Sequence, residues 1–121
     1  MNLRDRVAIV TGGGKGIGKV YCRHLAKEGA KVVVADIDET AAQEVAQEIR
    51  DSGGEAIGLK VDVSDELSTK EMALRAAEAF GSIHILVNNA SLMSVLPRRF
   101  WTEIPVDEWD RVMAVNVKGM F

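Results

Sequence analysis

The feature that most constrains the fold of this chain is a glycine-rich turn between two short apolar segments. Residues 7–10 form an apolar run typical of a strand buried on both faces. Five of the seven residues in 12–18 are glycine, and a helical pattern then runs to Gly29, in the position of a helix C-cap. A second apolar run, 32–35, ends at Asp36. This order within about 30 residues predicts a βαβ unit of the dinucleotide-binding kind.

The physical reason for such a turn lies in its missing side chains. Without Cβ atoms, the glycines let the backbone turn sharply and let a pyrophosphate approach the main chain. The first amides of the following helix then point at the phosphates. The helix dipole adds only roughly 0.3–1 kcal/mol, so amide hydrogen bonds must supply most of the binding. Asp36, at the carboxyl end of the second strand, is placed to accept hydrogen bonds from the adenosine ribose.

Two other glycine motifs fit the turn less well. A G-x-G-x-x-G pattern fails because its last glycine would fall on Ile17 or Lys19. The P-loop pattern matches from Gly13 to Lys19, but the next residue is Val20, which cannot ligate the Mg²⁺ of a nucleoside triphosphate. P-loop-like phosphotransfer is therefore a distant alternative. A glycine-rich connection without a ligand is another, disfavoured by the acid that ends the following strand.

The pattern that does fit is T-G-x-x-x-G-x-G, on Thr11, Gly12, Gly16 and Gly18. This pattern resembles the glycine motif of the classical short-chain dehydrogenase/reductase (SDR) family, and the resemblance covers essentially all of residues 1–121. It implies a single Rossmann-like dinucleotide-binding domain, truncated to the N-terminal, cofactor-binding half of a typical member.

The rest of the chain repeats the opening alternation of helix and strand. Patterns of apolar residues and capping residues predict two further strands, at 56–61 and 83–87, and three further helices, at 38–51, from Ser64-Asp65 to Phe80, and from Pro105 through Met120. No two-residue hairpin is available, so the strands must run parallel, with helices as crossovers. The predicted fold is a Rossmann-type doubly wound parallel sheet, in the strand order 3-2-1-4 that the resemblance implies.

The resemblance places a cofactor site at the carboxyl ends of these strands. Within it, Asp62 holds the adenine through its side chain and Val63 through its backbone. Asn89 and Ala90 resemble the first part of an N-N-A-G stretch that supports the cofactor, although Ser91 stands where the family has glycine. The cofactor-binding residues implied are Gly12, Lys15, Gly16, Ile17, Gly18, Asp36, Asp62, Val63, Asn89 and Ala90.

The expected cofactor is NAD rather than NADP. A carboxylate at position 36 would repel a 2′-phosphate and accept a hydrogen bond from a free 2′-hydroxyl, while Ile37 offers no basic partner. Lys15 is the contrary sign, because family members that use NADP often carry a base in this turn. We expect Asp36, nearer the ribose, to dominate.

One residue of the predicted last helix stands out. Asn116 lies within an apolar stripe that includes Trp109 and Met113, where an amide without partners would cost roughly 1–3 kcal/mol. By resemblance, the V-N-x-x-G stretch that contains it supplies the asparagine of a catalytic tetrad, thought to hold a water in a proton relay. A helix-packing amide is the alternative.

The remaining tetrad members of the family are a serine, a tyrosine and a lysine four residues after that tyrosine. None is found here, since the sole tyrosine, Tyr21, has Leu25 at the lysine position. The resemblance therefore implies an NAD(H)-dependent oxidoreductase that moves a hydride between nicotinamide and a small alcohol or carbonyl substrate, with the 121-residue chain itself inactive. Two alternatives are a non-catalytic NAD-binding module and a fragment completed by another chain.

Composition narrows the partners and the compartment. Net charge −3 and a pI near 5.4 predict neither nucleic-acid binding nor attachment to an anionic membrane. The histidines show no metal-ligand spacing, and no apolar run nears the ~18 residues of a membrane span. The lone Cys22 and the lack of a leader favour the cytoplasm. An unblocked apolar strand at 83–87 predicts a homo-oligomer or a complementing chain.

Overall fold

The computed structural model describes residues 2–121 and contains one four-stranded sheet. Its strands are β1 (Val7–Thr11), β2 (Lys31–Asp36), β3 (Ala56–Lys60) and β4 (Ile85–Val87). All pairs are parallel and the order is β3-β2-β1-β4, so the predicted Rossmann-type sheet and its strand order are confirmed. Strand order reverses beside β1, which is where such sheets bind ligands.

Four α-helices cross between or follow these strands: α1 (Gly16–Lys27), α2 (Glu39–Asp51), α3 (Glu66–Phe80) and α4 (Val106–Asn116). Capping side chains fix two of their starts, because Asp38 accepts a hydrogen bond from the Ala41 amide and Asp65 accepts one from the Leu67 amide. Gly81 ends α3 with φ +81°, a conformation that favours glycine. None of the helices within residues 2–121 is long and apolar enough to cross a membrane.

The core lies on both faces of the sheet. Every residue of β1 is buried, and β2 is buried from Val32 to Asp36, as expected for central strands of a parallel sheet. Val10 and Val34 pack on the face covered by α1 and α2, while Ile9 and Val33 pack on the α3 face. Each such side chain contributes about 1.5–3 kcal/mol by leaving water. The two central strands are thus the rigid base from which the turns at their carboxyl ends project.

The predicted strand at 83–87 is too long. β4 begins at Ile85, because the amide of Val7 donates to the ring of His84 and not to a backbone carbonyl of the neighbouring strand. The Val7 amide donates to His84 Nδ1 at 3.0 Å, and the His84 amide donates to the Val7 carbonyl. The third strand also ends one residue earlier than predicted, at Lys60.

The predicted helix through Met120 is wrong at its end. α4 stops at Asn116, and Val117 follows as its C-cap with φ −115°. A short 3₁₀ turn follows at Lys118–Met120. Another 3₁₀ turn, at Trp101–Glu103, lies where no regular structure was predicted.

The two edges of the sheet are finished differently. On β3, the Glu55 carbonyl just before the strand bonds to β2, so the carbonyls of Ala56 and Gly58 face outward. The Arg50 side chain donates to Ala56 at 2.7 Å and the Gln43 amide donates to Gly58 at 2.8 Å. These α2 side chains occupy the acceptors that an added strand would use. On β4, Leu86 is about half exposed, and residues 83–87 contain no lysine or proline.

Candidate functional site

A cavity of about 560 Å³ opens at the carboxyl ends of the strands. It joins turns that are far apart in the sequence, because parallel strands end on the same side of the sheet. All ten residues predicted to bind the cofactor line it: Gly12, Lys15, Gly16, Ile17, Gly18, Asp36, Asp62, Val63, Asn89 and Ala90. Asn116 does not line it, although its neighbour Val115 does.

The glycine turn requires glycine because of close packing as well as backbone conformation. A Cβ at Gly18 would overlap the Gly12 carbonyl oxygen and would lie 2.6 Å from Asn89 Nδ2. That amide donates to the carbonyls of Thr11 and Gly12, at 2.9 and 3.1 Å. Gly12 also has φ +65°, which disfavours a side chain. The end of β4 and the start of α1 therefore meet at the turn with no room for a larger residue.

The N-terminus of α1 differs from those of its neighbours. No side chain caps it, whereas Asp38 caps α2 and Asp65 caps α3. Among the four α-helices in residues 2–121, α1 is the only one without an acidic residue in its first turn. The first amides of a helix lack partners within it, and its dipole favours anions there. This helix start, facing the cavity, suits a negatively charged ligand.

Thr11 ties the ends of β1 and β4 together, a role that the sequence analysis missed. Its side chain is almost fully buried, and Oγ1 accepts from the amides of Asn89 and Ala90 at 3.0 and 3.1 Å. The same hydroxyl donates to the Val87 carbonyl at 3.3 Å. A hydroxyl at the end of a buried strand was the available signal, because such a group needs partners.

Asp36 is buried to 8% exposure and anchors two turns at once. Its Oδ2 accepts from the Gly14 amide at 2.9 Å, and its Oδ1 accepts from the Asp38 amide at 3.0 Å. A carboxylate has about four acceptor positions, so each oxygen keeps capacity for a ligand hydroxyl at the cavity. The acid thus braces the glycine turn and presents negative charge beside it.

Lys15 lies at the mouth of the cavity but is already paired. Its Nζ lies 2.6 Å from Oδ2 of Asp38, a residue that the sequence analysis did not single out. The hydrogen bond and the charge of Asp38 raise the pKa of Lys15, while the hydrogen bond from Lys15 lowers the pKa of Asp38. The pair is therefore fully charged near neutral pH.

The structure also argues against the P-loop alternative, because the lysine that this motif requires does not face the glycine turn. Lys19 turns away from the glycine turn and bonds to Glu48 on α2 at 2.9 Å. The hydrogen bonds from Lys19 and Arg23 lower the pKa of Glu48, so this acid is charged and holds both cations. Residues 2–121 also contain no group of three potential His, Cys, Asp or Glu ligands that could hold a metal ion.

The turn after β3 places Asp62 and Val63 in the cavity wall. Asp62 Oδ1 accepts from both the amide and the hydroxyl of Ser64, at 2.9 and 2.6 Å. The Asp62 amide in turn donates to the Ser68 hydroxyl at 3.0 Å. These bonds fix the acid through one oxygen, which leaves the other for a ligand.

The segment after Ala90 completes the wall, and its part in the cavity was not predicted. Residues 91–95 all line the cavity. Ser91 replaces the glycine of the family motif without strain, because Asp5 is the only non-glycine residue with positive φ in 2–121. The side chain of Asn116 holds Leu92 at both backbone groups, accepting from its amide at 2.7 Å and donating to its carbonyl at 3.0 Å.

Cys22 lies beneath the glycine turn, fully buried, with Sγ 3.8 Å from the Gly13 carbonyl. Burial raises the pKa of its thiol to about 12. The group is therefore an uncharged packing residue.

Comparisons with known proteins agree with this geometry. The family model described as short chain dehydrogenase matches residues 6–121. An uncharacterized oxidoreductase of Thermotoga maritima is 43% identical over 119 residues, covering 98% of this chain and 45% of that protein. A 2,5-dichloro-2,5-cyclohexadiene-1,4-diol dehydrogenase of Sphingobium indicum is 38% identical, with 98% and 46% covered.

A solved structure is similar as well. The crystal structure of 3-ketoacyl-(acyl-carrier-protein) reductase from Brucella melitensis, complexed with NADH, superposes with a TM-score of 0.91 at 36% identity. The match covers 98% of this chain and 47% of that one. The chain thus spans about half the length of the proteins that it matches.

Proposed function

Because this chain belongs to the short-chain dehydrogenase family, we propose that its cavity binds a nicotinamide dinucleotide. One observation carries the proposal: ten residues predicted from four separate strand ends line a single cavity beside an uncapped helix start. The NADH complex of the similar Brucella reductase supports it. The residues fit such a cofactor, with helix amides for the pyrophosphate and carboxylates for the adenosine end.

We further propose that NAD(H), rather than NADP(H), is the preferred cofactor. The buried carboxylate of Asp36 keeps acceptor capacity for the 2′- and 3′-hydroxyls of a ribose, and its charge opposes a 2′-phosphate. The base that would favour the phosphate, Lys15, is bound to Asp38. Charge at this end of the cavity therefore favours the unphosphorylated ribose.

The reaction we propose for the family fold is hydride transfer between the nicotinamide ring, which carries the hydride when the cofactor is bound, and a small alcohol or carbonyl compound. The dehydrogenase and reductase names of the relatives support this class. Asn116 serves the site by holding Leu92 in the cavity wall, which makes it a positioning residue in this chain; a further role in holding a relay water would use its remaining N–H.

The 121-residue chain on its own is proposed to bind cofactor without turnover. It contains no Tyr-x-x-x-Lys, and acid–base assistance is typically worth about 10²–10⁴-fold. No NADH should accumulate with generic alcohols. Enzyme-dependent NADH production that persists in Tyr21→Phe would show that another group transfers the proton.

The open edge of the sheet suggests the kind of partner that this chain binds. We propose that β4 accepts a strand from a second copy or from a complementing chain, because the β3 edge is occupied by Arg50 and Gln43. Two large side chains on the apolar side of α4, Trp109 and Met113, are also exposed. A buried free thiol at Cys22 is consistent with a proposed cytoplasmic setting.

Calorimetric titration with NAD⁺ and NADP⁺ tests the cofactor proposal. The unmodified chain should bind NAD⁺ more tightly, and Asp36→Ala should narrow the preference by about 10-fold, the size of a charged hydrogen bond. Asp36→Asn removes the charge but keeps one of the two hydrogen bonds to the turns, because one acceptor oxygen remains. Asp110→Ala removes an exposed acid outside the cavity and should change neither affinity. Equal affinities in the unmodified chain would refute the preference.

A further inference from the structure

The mouth of the cavity carries one cation and three acids. Among the described residues that line the cavity, Lys15 is the only lysine, arginine or histidine, whereas Asp36, Asp38 and Asp62 all line it. A ligand phosphate at this mouth therefore has a single side chain to pair with. The affinity for such a phosphate therefore depends on whether Lys15 is free to pair with it.

Asp38 is held in place independently of Lys15. It is the N-cap of α2, and its Oδ1 accepts from the Ala41 amide at 3.1 Å. Its amide donates to Asp36, so both its backbone and its side chain are fixed. The other oxygen, Oδ2, lies 2.6 Å from Lys15 Nζ. The acid is thus the fixed partner, and the long lysine side chain, 70% exposed, is the one that is drawn to it.

We propose that Asp38 is a specificity-determining positioning residue, which withholds Lys15 from the 2′-phosphate of NADP; this rests on the proposed function. Asp36 opposes the phosphate directly, by its charge beside the ribose. Asp38 acts indirectly, by pairing with Lys15. Without that pairing, the positive charge of Lys15 would attract the phosphate and offset the repulsion from Asp36. The two acids therefore favour the unphosphorylated cofactor by separate means, and their effects can be measured apart.

The expected effect is moderate because the pair is exposed. An exposed ion pair is weak, so its removal should change an equilibrium constant by at most about fivefold. Asp38→Asn keeps the shape of the side chain and the cap, since asparagine caps helices as well as aspartate does. It removes only the charge that binds Lys15. The dissociation constant for NADP⁺ should then fall by up to about fivefold, while that for NAD⁺ stays nearly constant.

The matched control is Asp65→Asn. Asp65 caps α3 in the same way, by accepting from the Leu67 amide at 3.1 Å, but does not line the cavity. This variant loses the same charge and should leave both affinities unchanged. Adding Lys15→Met to Asp38→Asn should abolish the gain, and raised salt should shrink it.

Calorimetric titration of NAD⁺ and NADP⁺ into these variants decides the matter. The inference is overturned if Asp38→Asn leaves the ratio of the two affinities unchanged, if Asp65→Asn changes it equally, or if the gain survives Lys15→Met. If the unmodified chain binds NAD⁺ and only the Asp38 arm fails, the proposed function stands without the inference. If the unmodified chain binds neither cofactor, both are overturned.

Discussion

Replacing Thr11 by valine tests how the glycine turn is held against β4. Valine has the shape of threonine but lacks the hydroxyl, which accepts from the amides of Asn89 and Ala90 and donates to Val87. Two amides lose their acceptor. An unsatisfied buried donor costs about 1–3 kcal/mol, and these amides are partly buried, so about 1 kcal/mol each applies. We expect Thr11→Val to lose about 2 kcal/mol of unfolding free energy, a large share of a typical 5–15 kcal/mol.

Urea unfolding and hydrogen exchange together provide the assay. Exchange at Asn89 and Ala90 should quicken in Thr11→Val, because these amides lose their bond. Thr11→Ser is the control: it removes one buried methyl group, for about 1 kcal/mol, but keeps the hydroxyl. Its two amides should stay protected. Unchanged exchange of both amides in Thr11→Val would refute the role assigned to the threonine.

Three further predictions concern the turn, the thiol and the edge. Gly18→Ala should cost about 3 kcal/mol in urea unfolding because of overlap, whereas Gly16→Ala, with open space but φ +51°, should cost about 1 kcal/mol; equal losses would contradict the packing argument. Cys22 should resist thiol reagents at about pH 8 until the chain unfolds, and rapid labelling of the folded chain would contradict its burial. In sedimentation at micromolar concentration the chain should self-associate through the β4 edge. Leu86→Lys on β4 should shift the chain toward monomer, whereas Leu67→Lys on α3, at an exposed control position, should not. A monodisperse species of 13.1 kDa would contradict the open edge.

The sheet was predictable because its signals are local and repeated. Mostly apolar segments of four to six residues, each followed within two residues by glycine, aspartate or asparagine, indicate buried parallel strands. The start of α2 followed from the same kind of signal, an acid placed before an amphipathic run. Strand order came from the resemblance, since periodicity alone does not order strands.

The parts that failed depend on contacts distant in sequence. The apolar stripe of the last helix continues past Asn116, but the Asn116 side chain bonds to Leu92, 24 residues away, and Gly119 lies against Val63. The periodicity of apolar residues does not reveal either contact, so the predicted helix was too long. The bond of Lys15 to Asp38 was missed for the same reason, because it joins the starts of two helices that the fold brings together.

Hydrogen–deuterium exchange of the 121-residue chain, with and without NADH, tests the central claim most directly. The account predicts slower exchange in three segments that are distant in sequence and line the cavity: 12–18, 62–63 and 89–92. The helix groove lined by Arg23 and Glu48 should exchange as before. Exchange unaltered by saturating NADH, or slowed only at that groove, would contradict the assignment of the cavity as the cofactor site.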